Sequence, residues 1–109
     1  MKRRITLTQL KKYDITQKVI LALADAESRA IIFSIIRKGK TASNLSESLK
    51  IPLSSVYKKL SDLEDLTLVE IEKTILSDTG RRFKVYKSRI NKAEILIKKP
   101  EPSLSLSSN

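Results

Sequence analysis

The chain has no cysteine, no histidine and no tryptophan among its 109 residues, and only two glycines and three prolines. Without cysteine there is no disulfide framework and no thiol redox switch. Without cysteine and histidine together, thiolate and imidazole metal sites are excluded within one chain, as are Ser/His/Asp and Cys/His catalysis. No apolar run approaches the roughly 20 residues that span a bilayer. The N-terminus M-K-R-R-I-T-L-T-Q-L-K-K has no signal-peptide apolar core. These absences describe a soluble protein, expected in the cytoplasm and on the nucleoid. Asp62, Glu64 and Asp65 form the only tight carboxylate cluster. They suit a solvated helix end better than a catalytic or metal site, so no enzyme, metal or cofactor is expected.

What the chain has in excess is positive charge. It carries 22 Lys and Arg against 12 Asp and Glu, a net charge of +10 with pI near 10.0. Such a balance in a small domain points to an anionic partner, most often nucleic acid. The blander reading, mere solubility, ranks second because the charge is unevenly placed. Residues 1–24 carry net +5 and residues 68–90 net +3, whereas residues 51–67 carry net −1. With 40% hydrophobic residues the chain supports one small core.

Read in order, residues 1–13 form a basic arm. Ile5 and Leu7 alternate with polar neighbours, which leaves open a short strand, an arm wrapped on the body or on a second subunit, or a solvated terminus. Asp14-Ile15-Thr16-Gln17 has the form of a capping box, predicting a first helix over about 15–24. Asp25 can cap a second helix over Ala26–Arg37. Its Ile31, Ile32, Phe33, Ile35 and Ile36 leave almost no polar face, which predicts a central core position. Gly39 follows Arg37-Lys38, the composition of a left-handed helix stop.

Thr41 can cap a third helix, Ala42–Leu49, with Leu45 and Leu49 on one side. The turn Lys50-Ile51-Pro52 follows, with Ile51 a core plug and Pro52 suited to the first position of a helix. The fourth helix, about 53–66, puts Val56, Leu60 and Leu63 within about 60° of one another as a buried stripe. Ser54, Tyr57, Lys58 and Ser61 fall within about 100° on the other side. Hydroxyls, one amphipathic ring and a long cation can reach base edges and phosphates. The acids Asp62, Glu64 and Asp65 occupy only the C-terminal half, so a helix entering a groove would do so by its N-terminal end. An ordinary mixed-charge surface helix fits this stretch equally well.

The next residues break that tie. Val69, Ile71, Lys73 and Ile75 alternate with Glu70, Glu72 and Thr74, a strand pattern. Ser77-Asp78-Thr79-Gly80 marks a turn, and Phe83–Lys87 alternates again. Arg81, Arg82, Lys84, Lys87 and Arg89 charge the tip and returning strand. A basic hairpin directly after a helix-turn-helix is a wing, able to hold phosphates or enter a minor groove. Asn91-Lys92-Ala93-Glu94 has a second capping-box form, predicting a last short helix ended by Pro100. Residues 100–109 are expected to be a flexible tail. The divisions are thus an arm over 1–13, a domain over 14–99 and a tail over 100–109.

Three pieces carry a family resemblance: L-A-L-A-D-A-E-S-R-A-I-I-F-S-I-I, then T-A-S-N-L-S-E-S-L-K-I-P-L-S-S-V-Y-K-K-L-S-D-L-E-D-L-T-L-V, then G-R-R-F-K-V-Y-K-S. Over roughly residues 18–90 the chain resembles the winged helix-turn-helix regulators of the arsenic-repressor (ArsR-like) kind, and an archaeal member in particular. The resemblance implies a compact, mostly helical α+β domain, usually a homodimer, that binds duplex DNA. Metal sensing does not carry over, because the Cys and His clusters are missing. Pro52 stands where the family has a capping Ser, and Lys50 where it has a glycine.

The expected function is therefore a duplex-DNA-binding transcriptional regulator. Ser54, Ser55, Tyr57, Lys58 and Ser61 are candidates for the major groove. Arg81, Arg82 and Lys84 are candidates for the flanking backbone or minor groove, and Lys40, Thr41 and Ser43 for phosphates at the start of the third helix. The alternative is a winged-helix protein–protein module in a transcription or repair complex. RNA is a weaker option, because no aromatic cluster for base stacking is apparent.

Overall fold

The computed structural model describes the backbone from Leu7 to Asn109 and the side chains from Asp14 onward. Four helices come first: α1 (Leu7–Ala24), α2 (Ala26–Ser34), α3 (Ala42–Leu49) and α4 (Leu53–Asp65). A two-residue strand β1 (Lys40–Thr41) precedes α3. After α4 come β2 (Val69–Leu76), β3 (Arg82–Ser88), β4 (Ile90–Leu96) and β5 (Ser103–Ser108). Strands β1, β3 and β2 form one antiparallel sheet in that order, and β4 pairs with β5 in a second.

The core sits where the helices meet the base of the first sheet. Val19 of α1, Ile31, Ile32 and Ile35 at α2, Leu45 of α3, and Val56, Leu60 and Leu63 of α4 are buried together with Leu68, Val69, Tyr86 and Ile90. The stripe expected on α4 is thus the buried one. Truncating a fully buried leucine such as Leu60 to alanine costs about 2–5 kcal/mol, because the cavity does not collapse completely.

Several boundaries differ from expectation, each for a physical reason. Helix α1 starts at Leu7, so Asp14 lies inside it and no capping box forms. Instead Asp14 meets Lys18 one turn on, at 3.3 Å. Nothing in Leu7–Tyr13 breaks a helix, and helix formers there extend the run backwards. The strand considered around Ile5 and the basic side chains of the arm lie outside the described residues.

Helix α2 ends at Ser34 rather than Arg37, although the apolar run continues. The backbone tightens at that point, Ile35 N donating to Ile32 O at 3.1 Å and Ile36 N to Phe33 O at 3.5 Å, and the three carbonyls that follow bond outside the helix. Ile35 O accepts from Ser88 N at 3.0 Å, Ile36 O from Asn109 Nδ2 at 2.8 Å, and Arg37 O from Lys87 Nζ at 2.7 Å. Nor is α2 apolar-buried all round, since Phe33 is 80% exposed. Gly39 is not a left-handed stop: Gly80 is the only glycine with positive φ. Gly39 is small because β3 lies against it. A Cβ there would come within 2.7 Å of Val85 Cγ1 and 3.1 Å of the Tyr86 carbonyl.

The last helix does not form. Residues 90–96 are a strand, and the expected tail supplies its partner, with Ala93 opposite Leu106 and Ile95 opposite Leu104. Ser103-Leu104-Ser105-Leu106-Ser107 alternates strictly, which is strand period. One face of the hairpin carries Ala93, Ile95, Leu104 and Leu106, and Leu104 packs on the core. Glu94 reaches Lys92 at 2.7 Å along the strand instead of capping a helix.

Candidate nucleic-acid interface

The helix-turn-helix is fixed at each joint. Thr41 caps α3, its Oγ1 accepting from Asn44 N at 3.2 Å and its hydroxyl bonding Asn44 Oδ1. Lys50 takes the left-handed conformation, φ 59°, that turns the chain toward α4. Ile51 N donates to Ser46 O at 3.2 Å, and Ser46 Oγ donates to Ile51 O at 2.5 Å. Ile51 is thereby held in the core as expected. Pro52 is the cap residue of α4 rather than its first helical residue, and it offers no side-chain acceptor. The first amides of α4 therefore point outward without a capping partner, which suits an anion.

The wing is a hairpin closed by Ser77–Arg81. Gly80 N donates to Ser77 O at 2.9 Å, Ser77 N to Arg81 O at 2.8 Å, and Arg81 N to Ser77 Oγ at 3.0 Å. Gly80 sits at φ 80°, which a side chain would resist. The strand register slips between Ile71 and Lys73, leaving Glu72 as an extra residue. Ile71 faces Tyr86, but Lys73 faces Val85, so the simple alternation read along β2 changes face at this bulge. On β3 the alternation is intact, and Arg82, Lys84 and Tyr86 share one face.

That face turns toward the helices. Thr41, Ala42, Ser43, Tyr57, Arg82, Phe83, Lys84 and Tyr86 line a cleft of about 210 Å³. Five of the residues singled out from sequence, Thr41, Ser43, Tyr57, Arg82 and Lys84, thus meet in one place. Tyr57 is 49% exposed. Burial pushes the Tyr86 phenol above its ordinary 10.0, with the Glu64 carboxylate and Tyr57 adding to the effect.

The other candidates lie around this cleft or away from it. Ser54, Lys58 and Ser61 are exposed on α4 and Ser55 is half-buried there. Lys58 is 3.9 Å from Asp62 one turn on, both exposed, a pair weak enough to exchange for another anion. Arg81 is exposed at the wing tip. Lys40 pairs with Tyr86 in the sheet and lines a separate groove with Lys38, Asn44 and Lys73. Sequence reasoning passed over Tyr86 and Lys59. Tyr86 is reached only through sheet pairing, and the partners of Lys59 are 32 and 34 residues away in sequence.

The family model described as "Sugar-specific transcriptional regulator TrmB" matches residues 10–89, helices, turn and wing together. The chain belongs to the TrmB family. Among solved structures it is similar to the crystal structure of NolR from Sinorhizobium fredii. The two share 17% identity over 80% of this chain and 81% of that one, with a TM-score of 0.62. That likeness is one of fold, a winged helix-turn-helix. A search of the curated proteins returns no match. Membership in the TrmB family makes this domain a DNA-binding transcriptional regulator of winged-helix type. Among its described residues no helix is long and apolar enough to cross a membrane.

Proposed function

We propose that this TrmB-family domain binds duplex DNA sequence-specifically, with α4 in the major groove and the wing on the flanking backbone or minor groove. The observation that carries this is the cleft where Tyr57 of α4, the capped start of α3 and Arg82 and Lys84 of the wing converge. In this reading Ser54, Ser55, Tyr57, Lys58 and Ser61 meet base edges. Arg81, Arg82 and Lys84 neutralise phosphates, as do Lys40, Thr41 and Ser43 beside them. The near-neutral helices read sequence while the basic flanks supply affinity. It acts without a cofactor and without catalysis, on chromosomal DNA in the cytoplasm. On the motifs quoted above, this TrmB-family domain also resembles the arsenic-repressor-like winged-helix regulators.

A second copy of the chain is the proposed protein partner. Ile15 and Leu21 of α1 stay exposed beside an open groove of about 750 Å³ that also involves Leu66 and the acids Asp62 and Asp65. Apolar side chains grouped in this way are characteristic of a covered surface.

Selection of bound duplexes from a random pool, followed by titration at several salt concentrations, tests both statements. A Tyr57→Ala or Lys58→Ala variant should lose preference for the selected site. Arg82→Ala should weaken all sequences about equally and reduce the salt slope by about one. A dimer should select a palindrome with half-sites about one helical turn apart. Absence of any retardation of duplex DNA by micromolar protein at low salt would instead favour the protein–protein module.

A further inference from the structure

Lys59 follows Tyr57 and Lys58 on α4, and by sequence it would pass for one more phosphate contact. Its surroundings say otherwise. The side chain is 24% exposed, against 79% for Lys58, and its Nζ is 2.7 Å from Asp25 Oδ2 and 3.7 Å from Glu27 Oε1. Asp25 is the cap of α2, and the same oxygen accepts from Ser28 N at 3.0 Å and Ser28 Oγ at 2.8 Å. Arg29 closes the other side of this elbow, its Nη1 donating to the last carbonyls of α1, Leu23 O and Ala24 O, at 2.9 Å each. The α1–α2 elbow is thus built from caps and cations, and one bond runs from it to α4.

We propose that Lys59 is a positioning residue for DNA reading, its bond to Asp25 setting the rotation of α4 about its own axis so that Tyr57 and Lys58 face the groove. The inference rests on the DNA-binding reading of α4. The mechanics are simple. The buried stripe of Val56, Leu60 and Leu63 fixes which side of α4 faces the core, but its apolar contacts make no directional bond to a fixed partner. Side-chain tips lie about 6 Å from a helix axis, so a rotation of roughly 10° moves them by about 1 Å, enough to break hydrogen bonds to a base edge. A charge-assisted bond of fixed length resists that motion. Asp25 is held well below the usual carboxylate range, at about 2, first by the Lys59 hydrogen bond and then by those from Ser28. The carboxylate is therefore ionised whenever α4 needs its anchor.

The test uses the full chain with Lys59→Met, Asp25→Asn and the double variant. Asparagine keeps the α2 cap, and methionine keeps the apolar stem. The probes are a duplex selected in vitro by the wild-type protein and a random duplex. Each single variant should lose roughly tenfold affinity for the selected duplex, the factor one charge-assisted hydrogen bond supplies. The salt slope should stay unchanged, the double variant should be no worse than either single one, and Lys59→Arg should retain affinity. Asp25→Asn is the decisive arm. Removing an acid should strengthen binding to any polyanion, so a loss of selected-over-random preference supports positioning. An unchanged ratio in both variants overturns the proposal. So does a Lys59→Met variant that weakens both duplexes equally with a salt slope reduced by about one, since Lys59 would then be a phosphate contact. Should the wild-type protein bind no duplex, the DNA reading fails on its own. Amide exchange in the free protein then decides the anchor: faster exchange along α4 in both variants sustains it, and unchanged exchange removes it.

Discussion

Among the described residues, Thr67 and Lys50 are the two non-glycines with positive φ, at 60° and 59°. Each ends a helix of the helix-turn-helix. After α4, Thr67 N donates to Glu64 O at 2.9 Å and Leu68 N donates to Leu63 O at 2.9 Å, the paired bonds of a Schellman motif, with buried Leu63 and Leu68 in its hydrophobic positions. That motif wants glycine where Thr67 stands, and a β-branched side chain is the least suited alternative. The left-handed conformation costs a residue with a Cβ about 1–2 kcal/mol, while glycine adds about 0.4–1 kcal/mol of unfolded-state entropy. Thr67→Gly should therefore stabilise the domain by about 0.5–1 kcal/mol, raising its melting temperature by a few degrees. Lys50→Gly should act in the same direction, and Lys50→Val in the opposite one. Thermal denaturation of the three variants checks the ordering.

At the scale of elements, what was legible depended on where each element finds its partner. Helices α3 and α4 could be read because their apolar stripes and end signals are local: Thr41 caps, Leu45 and Leu60 point inward, Lys50 turns. The wing could be read because Gly80 and two alternating runs bracket a short loop. The last helix could not, because Asn91-Lys92-Ala93-Glu94 carries a local helix signal that pairing with β5 overrides. The leucines at 104 and 106 were the visible counter-signal, spaced by two between serines. The bulge at Glu72 was invisible, since nothing in β2 alone says which residue β3 will skip. The same division holds within the site. Tyr57, Arg82 and Lys84 could be chosen from their own segments. That they share a cleft with Thr41 and Ser43, and that Lys59 turns toward Asp25, depends on packing between elements far apart in sequence.

For the molecule as a whole, the missing histidine leaves no side chain with an ordinary titration between about pH 5 and 8. Stability should be flat across that range and fall at both ends. On the acid side, Asp25 titrates near 2 in the fold against 3.8 ordinarily, so its contribution is present above 3.8 and is lost as pH falls through about 2. On the basic side, Lys59 is raised above 10.5, first by its hydrogen bond to Asp25, and its contribution is lost as pH rises through that raised value. Burial of the Tyr86 phenol acts in the same direction above 10.0. Denaturant midpoints from pH 2 to 11 should trace this plateau, and Asp25→Asn should flatten its acid edge. The clasp at Asn109, whose Nδ2 reaches Ile36 O and Ser88 O while its backbone N reaches Arg89 O, has a kinetic consequence. It closes a loop of 73 residues, the kind of contact that forms late because its closure entropy is the least favourable. Asn109→Ala should leave the refolding rate almost unchanged and speed unfolding, a shift confined to one limb of the chevron. The α2–β1 connection, and with it the seat of the wing, would then be the last part of the domain to become native on each refolding.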